Sequence, residues 1–156
     1  LIPYLDMNTQ AIVDVGSGAG FPGLVLSLCT PSKRIYLVES DKRKCEFLKE
    51  VIRQTGSNAD VLQQRMETIV ASYFNSSPLI TSRACASVSK LLELTSSFHS
   101  HSSYLLLKGK TAVDECLEAK KRWRFEVNYH PSMTSDESRI VAIRVVSLHD
   151  QCKTGS

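Results

Sequence analysis

The sequence predicts a three-layer α/β fold in which a mostly parallel sheet of seven strands carries helices on both faces and ends in an antiparallel hairpin. Three observations lead there. A strand-length apolar run, Ala11-Ile-Val-Asp-Val15, stops at glycines and is followed by helical and then strand patterning. That alternation of β and α units continues along most of the chain. Finally, the strand-like segments 124–129 and 139–148 follow one another with only a turn-rich stretch, 131–138, between them, which predicts a terminal hairpin.

Each element has its own signal. Residues 22–28 (PGLVLSL) suit a helix with proline at its first position, where a missing N–H is harmless. The β-branched run 34–39 (RIYLVE) is the second strand, so strand, glycine turn, helix and strand make a βαβ unit. Segment 41–54 opens on the capping residue Asp41 and ends near Gly56. It places Cys45, Phe47, Leu48, Val51 and Ile52 on one face, with Lys42, Arg43, Lys49 and Arg53 largely opposite. Short strands are expected at 59–62, 79–82 and 104–108, and helices at 90–98 and 113–123. Residues 96–103 (SSFHSHSS) read as a polar loop, and 149–156 as a flexible tail.

The 156 residues fit a single domain spanning 1–156. Apolar residues make up 42% and charged residues 22%, which excludes a disordered chain, and no run approaches the roughly 20 apolar residues of a membrane helix. The five cysteines show no CxxC or Cys/His spacing, so neither a metal site nor a disulfide framework is expected, and the thiols read as reduced in a cytoplasmic protein. The start at Leu1 suggests a trimmed chain with a segment missing upstream. Net charge is +3; residues 1–78 balance 8 basic against 8 acidic side chains, while 79–156 hold 11 against 8. Charge alone leaves open whether that surplus is a basic face or merely a solvated surface.

The informative segment is Val13-Asp-Val-Gly-Ser-Gly-Ala-Gly-Phe-Pro-Gly23. Glycines at 16, 18 and 20 let the backbone turn sharply from strand to helix and let a ligand approach closely, Gly16 and Gly18 above all. Gly18, Gly20 and Gly23 also spell G-x-G-x-x-G, and Glu39 ends the second strand 21 residues after Gly18, where a ribose-binding acid belongs. This spacing suits NAD and S-adenosylmethionine alike. Asp14 favours the latter, because an acid beside the glycine turn suits a sulfonium and repels a pyrophosphate. The plainer alternative is that Asp14 only caps the loop.

At this point the chain resembles a known family. The blocks VDVGSGAGFPG, LVESDKRKCEFLKEV, QRMETI, TSRACASV and LLLKGK are similar, in order and spacing, to those of the bacterial 16S rRNA guanine-N7 methyltransferases, once called glucose-inhibited division protein B. The resemblance implies a Rossmann-like class I methyltransferase that uses S-adenosylmethionine to methylate guanine N7 in the 530 loop. Its partner would be 16S rRNA or a small-subunit precursor; the sequence leaves the oligomeric state open, with a monomer favoured. Carried over by position, cofactor contacts fall on Gly16, Phe21, Met66, Glu67 and Arg83, with Glu39 as the ribose acid. Arg83 and Lys108, expected at the C-terminal edge of the sheet, are candidates for positioning the substrate, with Lys110 beside them. Two departures stand out: Pro78 replaces a frequent acid, and the family's N-terminal helical region has too few residues here to form.

Rival chemistries leave weaker traces. Ser77-Pro78-Leu79-Ile80 matches only half of the block typical of amine methylation. Cys85 could serve as the thiolate of a cytosine-C5 enzyme, but it lacks the Pro-Cys setting and reads better as a small buried apolar residue. His99-x-His101 reads as a loop pair. A non-catalytic RNA-binding module would account for Lys108, Lys110, Lys120, Lys121, Arg122 and Arg124 but has no use for the glycine loop, and an NAD-dependent oxidoreductase would share the loop and Glu39.

Overall fold

All five residues of the first strand, β1 (Ala11–Val15), are buried, as a strand covered on both faces must be. The computed structural model describes residues 1–74, 77–83, 85–99, 102–133 and 135–149, so most of the expected tail and His101 lie outside it. The remaining strands are β2 (Arg34–Glu39), β3 (Ala59–Gln63), β4 (Leu79–Arg83), β5 (Ser103–Lys108), β6 (Trp123–Pro131) and β7 (Arg139–Leu148). They form one sheet in the order β3-β2-β1-β4-β5-β7-β6. Pairing is parallel except along β7, which runs against both β5 and β6. The fold class is therefore the one the sequence predicts.

Helices α1 (Gly23–Cys29) and α2 (Lys42–Thr55) cover one face, and α3 (Val88–Leu94) and α4 (Ala112–Ala119) the other. Alternation along β1 sorts its side chains: Ile12 joins Leu24, Leu37 and Leu48 under α1 and α2, while Val13 and Val15 join Leu91, Leu92 and Cys116 under α3 and α4. Asp14, in phase with Ile12, thereby faces α1.

The helix boundaries hold several corrections. Pro22 is the residue before α1 rather than its first residue. In α2 the cap is as expected, with Asp41 accepting from the Lys44 N–H at 3.0 Å and Gly56 closing the helix at φ 65°. Phe47, however, is 52% exposed, because two residues on from buried Cys45 is about 200° around the helix. The helix expected over 90–98 ends at Leu94; Thr95 turns its hydroxyl back to the Leu91 carbonyl and across to Tyr104 Oη, both at 2.8 Å, and a 3-10 turn brings Phe98 into the core. The helix expected over 113–123 ends at Ala119, because Trp123, 2% exposed, enters the sheet opposite Leu148.

Candidate active site

Open α/β sheets bind ligands beyond the carboxyl ends of their strands, where the strand order reverses. Here that point is β1, which leads to β2 on one side and β4 on the other. Ser82 Oγ on β4 donates to the Val15 carbonyl at 2.9 Å and joins the two edges of the junction. Beyond it the chain passes through Gly16, Gly18 and Gly20 at φ 67°, 56° and 91°. A side chain at Gly16 would also overlap the Cys85 thiol. Glycine is required there by both conformation and space.

Most of the loop's amides are already engaged within the protein. Gly16 and Ser17 donate to the Val38 carbonyl, Gly18 to Glu39 Oε2 at 3.0 Å, Gly20 to the Ser17 carbonyl, Gly23 to Asp14 Oδ2 at 3.0 Å and Leu24 to the Gly20 carbonyl. A pyrophosphate needs such donors unengaged at the helix start. The loop is built for a ligand that approaches through space and shape rather than through phosphate contacts, which favours S-adenosylmethionine over NAD.

Asp14 is fully buried and holds the start of α1. Its place is the capping one, not a direct contact with a cofactor. Burial pushes its carboxyl up to about 7, against the opposing pull of the Gly23 N–H, the Ser17 hydroxyl and Arg83.

A cleft of about 660 Å³ opens above β1, β2 and β4, within the usual range for a small-molecule site. Val15, Val38, Met66 and Leu94 give it apolar walls, and Glu39 lies at its floor, 8% exposed. Glu39 Oε1 accepts from the Ser40 and Asp41 amides at 2.8 and 2.9 Å, and Oε2 from Gly18. A carboxylate has about four acceptor positions, so one on Oε2 remains to face a ligand hydroxyl.

Residues 1–142 match the model of a protein family described as rRNA small subunit methyltransferase G, GidB. The chain belongs to that family. Ribosomal RNA small subunit methyltransferase G of Rickettsia felis is 34% identical over 143 residues, covering 92% of this chain and 72% of the relative, and that of Rickettsia prowazekii matches to the same extent. The fold is shared more widely. An rRNA methylase from Streptococcus thermophilus superposes with a TM-score of 0.61 at 10% identity, covering 90% of this chain and 89% of the other. A Streptococcus mutans protein solved in complex with SAH gives 0.58 at 13% identity, with coverages of 90% and 89%.

As an rRNA small subunit methyltransferase G, the protein uses S-adenosylmethionine and acts on guanine N7 in the 530 loop of 16S rRNA. The cleft brings together Gly16, Gly18, Glu39, Met66, Glu67 and Arg83. Phe21 lies outside it, 48% exposed, with the Arg83 guanidinium 5.3 Å from its ring centre. Lys108 does reach the C-terminal end of β5, yet its side chain is 6% exposed and its ammonium is bound to Glu115 at 2.9 Å and to the Ala86 carbonyl. It is thus not presented to RNA phosphates, whereas Lys110 is exposed.

Sequence reasoning missed Lys44, Arg65 and Lys90 on the cleft and took Cys85 for a buried residue, although it is exposed there. The position of Lys44 and Lys90 in the first turns of α2 and α3 was an available signal, since those turns abut the strand ends. Partial burial pushes the Cys85 thiol up, so it stays protonated and a poor nucleophile. Lys120, Lys121 and Arg122 fall between α4 and β6, at the opposite edge of the sheet from the cleft. Among the described residues no cluster is placed to hold a metal ion, and no helix is long and apolar enough to cross a membrane.

Proposed function

We propose that the cleft above β1 and β2 holds S-adenosylmethionine through Gly16, Gly18, Glu39, Met66, Glu67 and Arg83, and that the 530-loop guanine enters from the side of Phe21 and Arg83. The observation that carries this reading is the glycine loop, most of whose amides are bonded within the protein, while Glu39 keeps one acceptor position over a cleft with apolar walls and a charged rim. Such a site suits an adenosine: Glu39 takes a ribose hydroxyl, Met66 and Val38 pack against the base, and Ser40 and Gln64 border the cleft as polar partners.

When bound, S-adenosylmethionine supplies a methyl group on an electron-poor sulfur. The chain's own residues then have one main task, which is alignment. Guanine N7 carries an unprotonated lone pair at neutral pH, so no side chain has to remove a proton. Gly16 and Gly18 allow close approach, Glu39 fixes the depth of the adenosine, and Arg83, spread over Phe21, borders the approach to the reacting end. The exposed cations Lys44, Arg65 and Lys90 on the rim suit the RNA backbone. The full reading is a single methyltransferase domain acting as a monomer in the cytoplasm on 16S rRNA or a small-subunit precursor.

Calorimetry with S-adenosylhomocysteine and with NAD tests the site. Binding of the first and not the second is expected, and Glu39→Ala should weaken it by about tenfold or more. Binding of NAD alone, or an unchanged affinity in Glu39→Ala, would overturn the assignment. For the target atom, substrate RNA with 7-deazaguanine at the target should go unmethylated while Cys85→Ser stays active.

A further inference from the structure

We propose that the Lys108–Glu115 ion pair, whose lysine is buried and whose glutamate is partly buried, is a positioning device that sets the width of the cleft by gripping the segment between β4 and α3. The proposal rests on reading that cleft as the S-adenosylmethionine site. Lys108 Nζ donates to the Ala86 carbonyl and lies 2.9 Å from Glu115 Oε2 on α4. The same carboxylate oxygen accepts from the Val88 N–H at 3.0 Å, and Oε1 accepts from the Thr111 hydroxyl at 3.0 Å. One ion pair therefore holds both ends of a three-residue stretch, the carbonyl at 86 through the ammonium and the amide at 88 through the carboxylate.

That stretch borders the site. Cys85 and Ala86 line the cleft, with Arg83 and Lys90 to either side, and Cys85 sits where any side chain on Gly16 would have to go. A shift of the 86–88 backbone thus changes its distance from the glycine loop directly. An ion pair of this kind adds little to stability by itself once desolvation is counted; what it adds here is the hold on the backbone at 86 and 88. Lys108 acts through the backbone it holds and touches neither reactant.

The test compares S-adenosylhomocysteine affinity, thermal stability and amide exchange at Val88 in the cofactor-free protein. Wild-type binding is the control, and its absence would count against the cofactor site itself rather than the positioning role. Lys108→Met strands the Glu115 carboxylate, so both stability and affinity should drop. Adding Glu115→Leu removes the stranded charge and should recover part of the lost stability, the Val88 N–H and Ala86 carbonyl still lacking these partners, while affinity stays about tenfold low and the Val88 amide exchanges faster, because nothing holds the segment. Lys108→Arg, which keeps charge and donors, should recover affinity to within about threefold. Affinity returning together with stability in the paired variant, or wild-type exchange at Val88 there, would overturn the proposal. If neither Met variant folds, Glu115→Gln decides on the same readouts: weaker binding with faster exchange supports positioning, and wild-type values for both refute it.

Discussion

Asp14 is ionisable, buried and bonded to the first amide of α1, and together these facts set a pH response. Its folded pKa of about 7 lies above its ordinary value of 3.8, mainly through burial. Between about pH 4 and pH 7 the unfolded chain has released this proton and the folded protein has kept it, so stability falls as pH rises across that window and levels beyond it. Asp14→Asn, which still offers an oxygen to Gly23, should remove the fall; urea midpoints of both proteins at several pH values would show it, and parallel curves would refute it. Gly23 gives a second prediction. A Cβ there would stand 2.5 Å from Leu37 and 2.6 Å from the Asp14 Cβ, so Gly23→Ala should destabilise by about 1–3 kcal/mol despite alanine's better helix propensity. Gly109→Ala, facing open space, should leave the midpoint nearly unchanged. Glu39 was legible in the sequence because a spacing revealed it. The capping role of Asp14 was not, because the choice depended on which way the residue faces and how deeply it lies.

Among the elements, α2 shows what sequence can specify: an Asp cap, a left-handed glycine end and an apolar stripe on Cys45 and Leu48, all carried by neighbouring residues. The ends of α3 and α4 were misjudged because their causes are remote. Thr95 stops α3 by bonding Tyr104 of β5, and Trp123 stops the run after α4 by entering the sheet beneath His99, with ring centres 4.7 Å apart. Trp123 anchors the start of β6, yet its indole N–H is buried without a hydrogen-bond partner. Trp123→Ala should therefore cost about 3–5 kcal/mol. Trp123→Phe, which gives up volume but also the unsatisfied donor, should cost much less. Chemical denaturation of the two variants would measure the contrast, and equal losses would overturn the expectation.

For the whole molecule, the order of the sheet decides which charges can act together. Charge counts along the sequence left open whether the basic surplus of the second half forms one face, and the sheet order shows that it does not gather at the cleft. Lys120, Lys121 and Arg122 lie at the edge away from the cleft; Lys121 stands 2.5 Å from Glu118, and Arg122 stacks over Trp123 at 5.2 Å. Lys44 and Lys90, drawn from distant parts of the chain, meet on the cleft. Lys44→Ala with Lys90→Ala should lower the salt slope of RNA binding by about one to two, whereas alanines at 120, 121 and 122 should leave it alone. The reverse pattern in filter binding at graded salt would place the RNA on the other edge. Strand order has one further consequence, for the time at which the sheet can be finished. β7, the last in chain order of the described strands, sits between β5 and β6, so as the chain leaves the ribosome β5 waits with one edge unpaired while α4 and β6 are synthesised. That edge is closed only when residues 139–148 emerge. Until then the nascent protein exposes a sticky strand beside a nearly complete cleft, and an arrest just before residue 139 is where chaperone capture or edge-to-edge aggregation should be greatest.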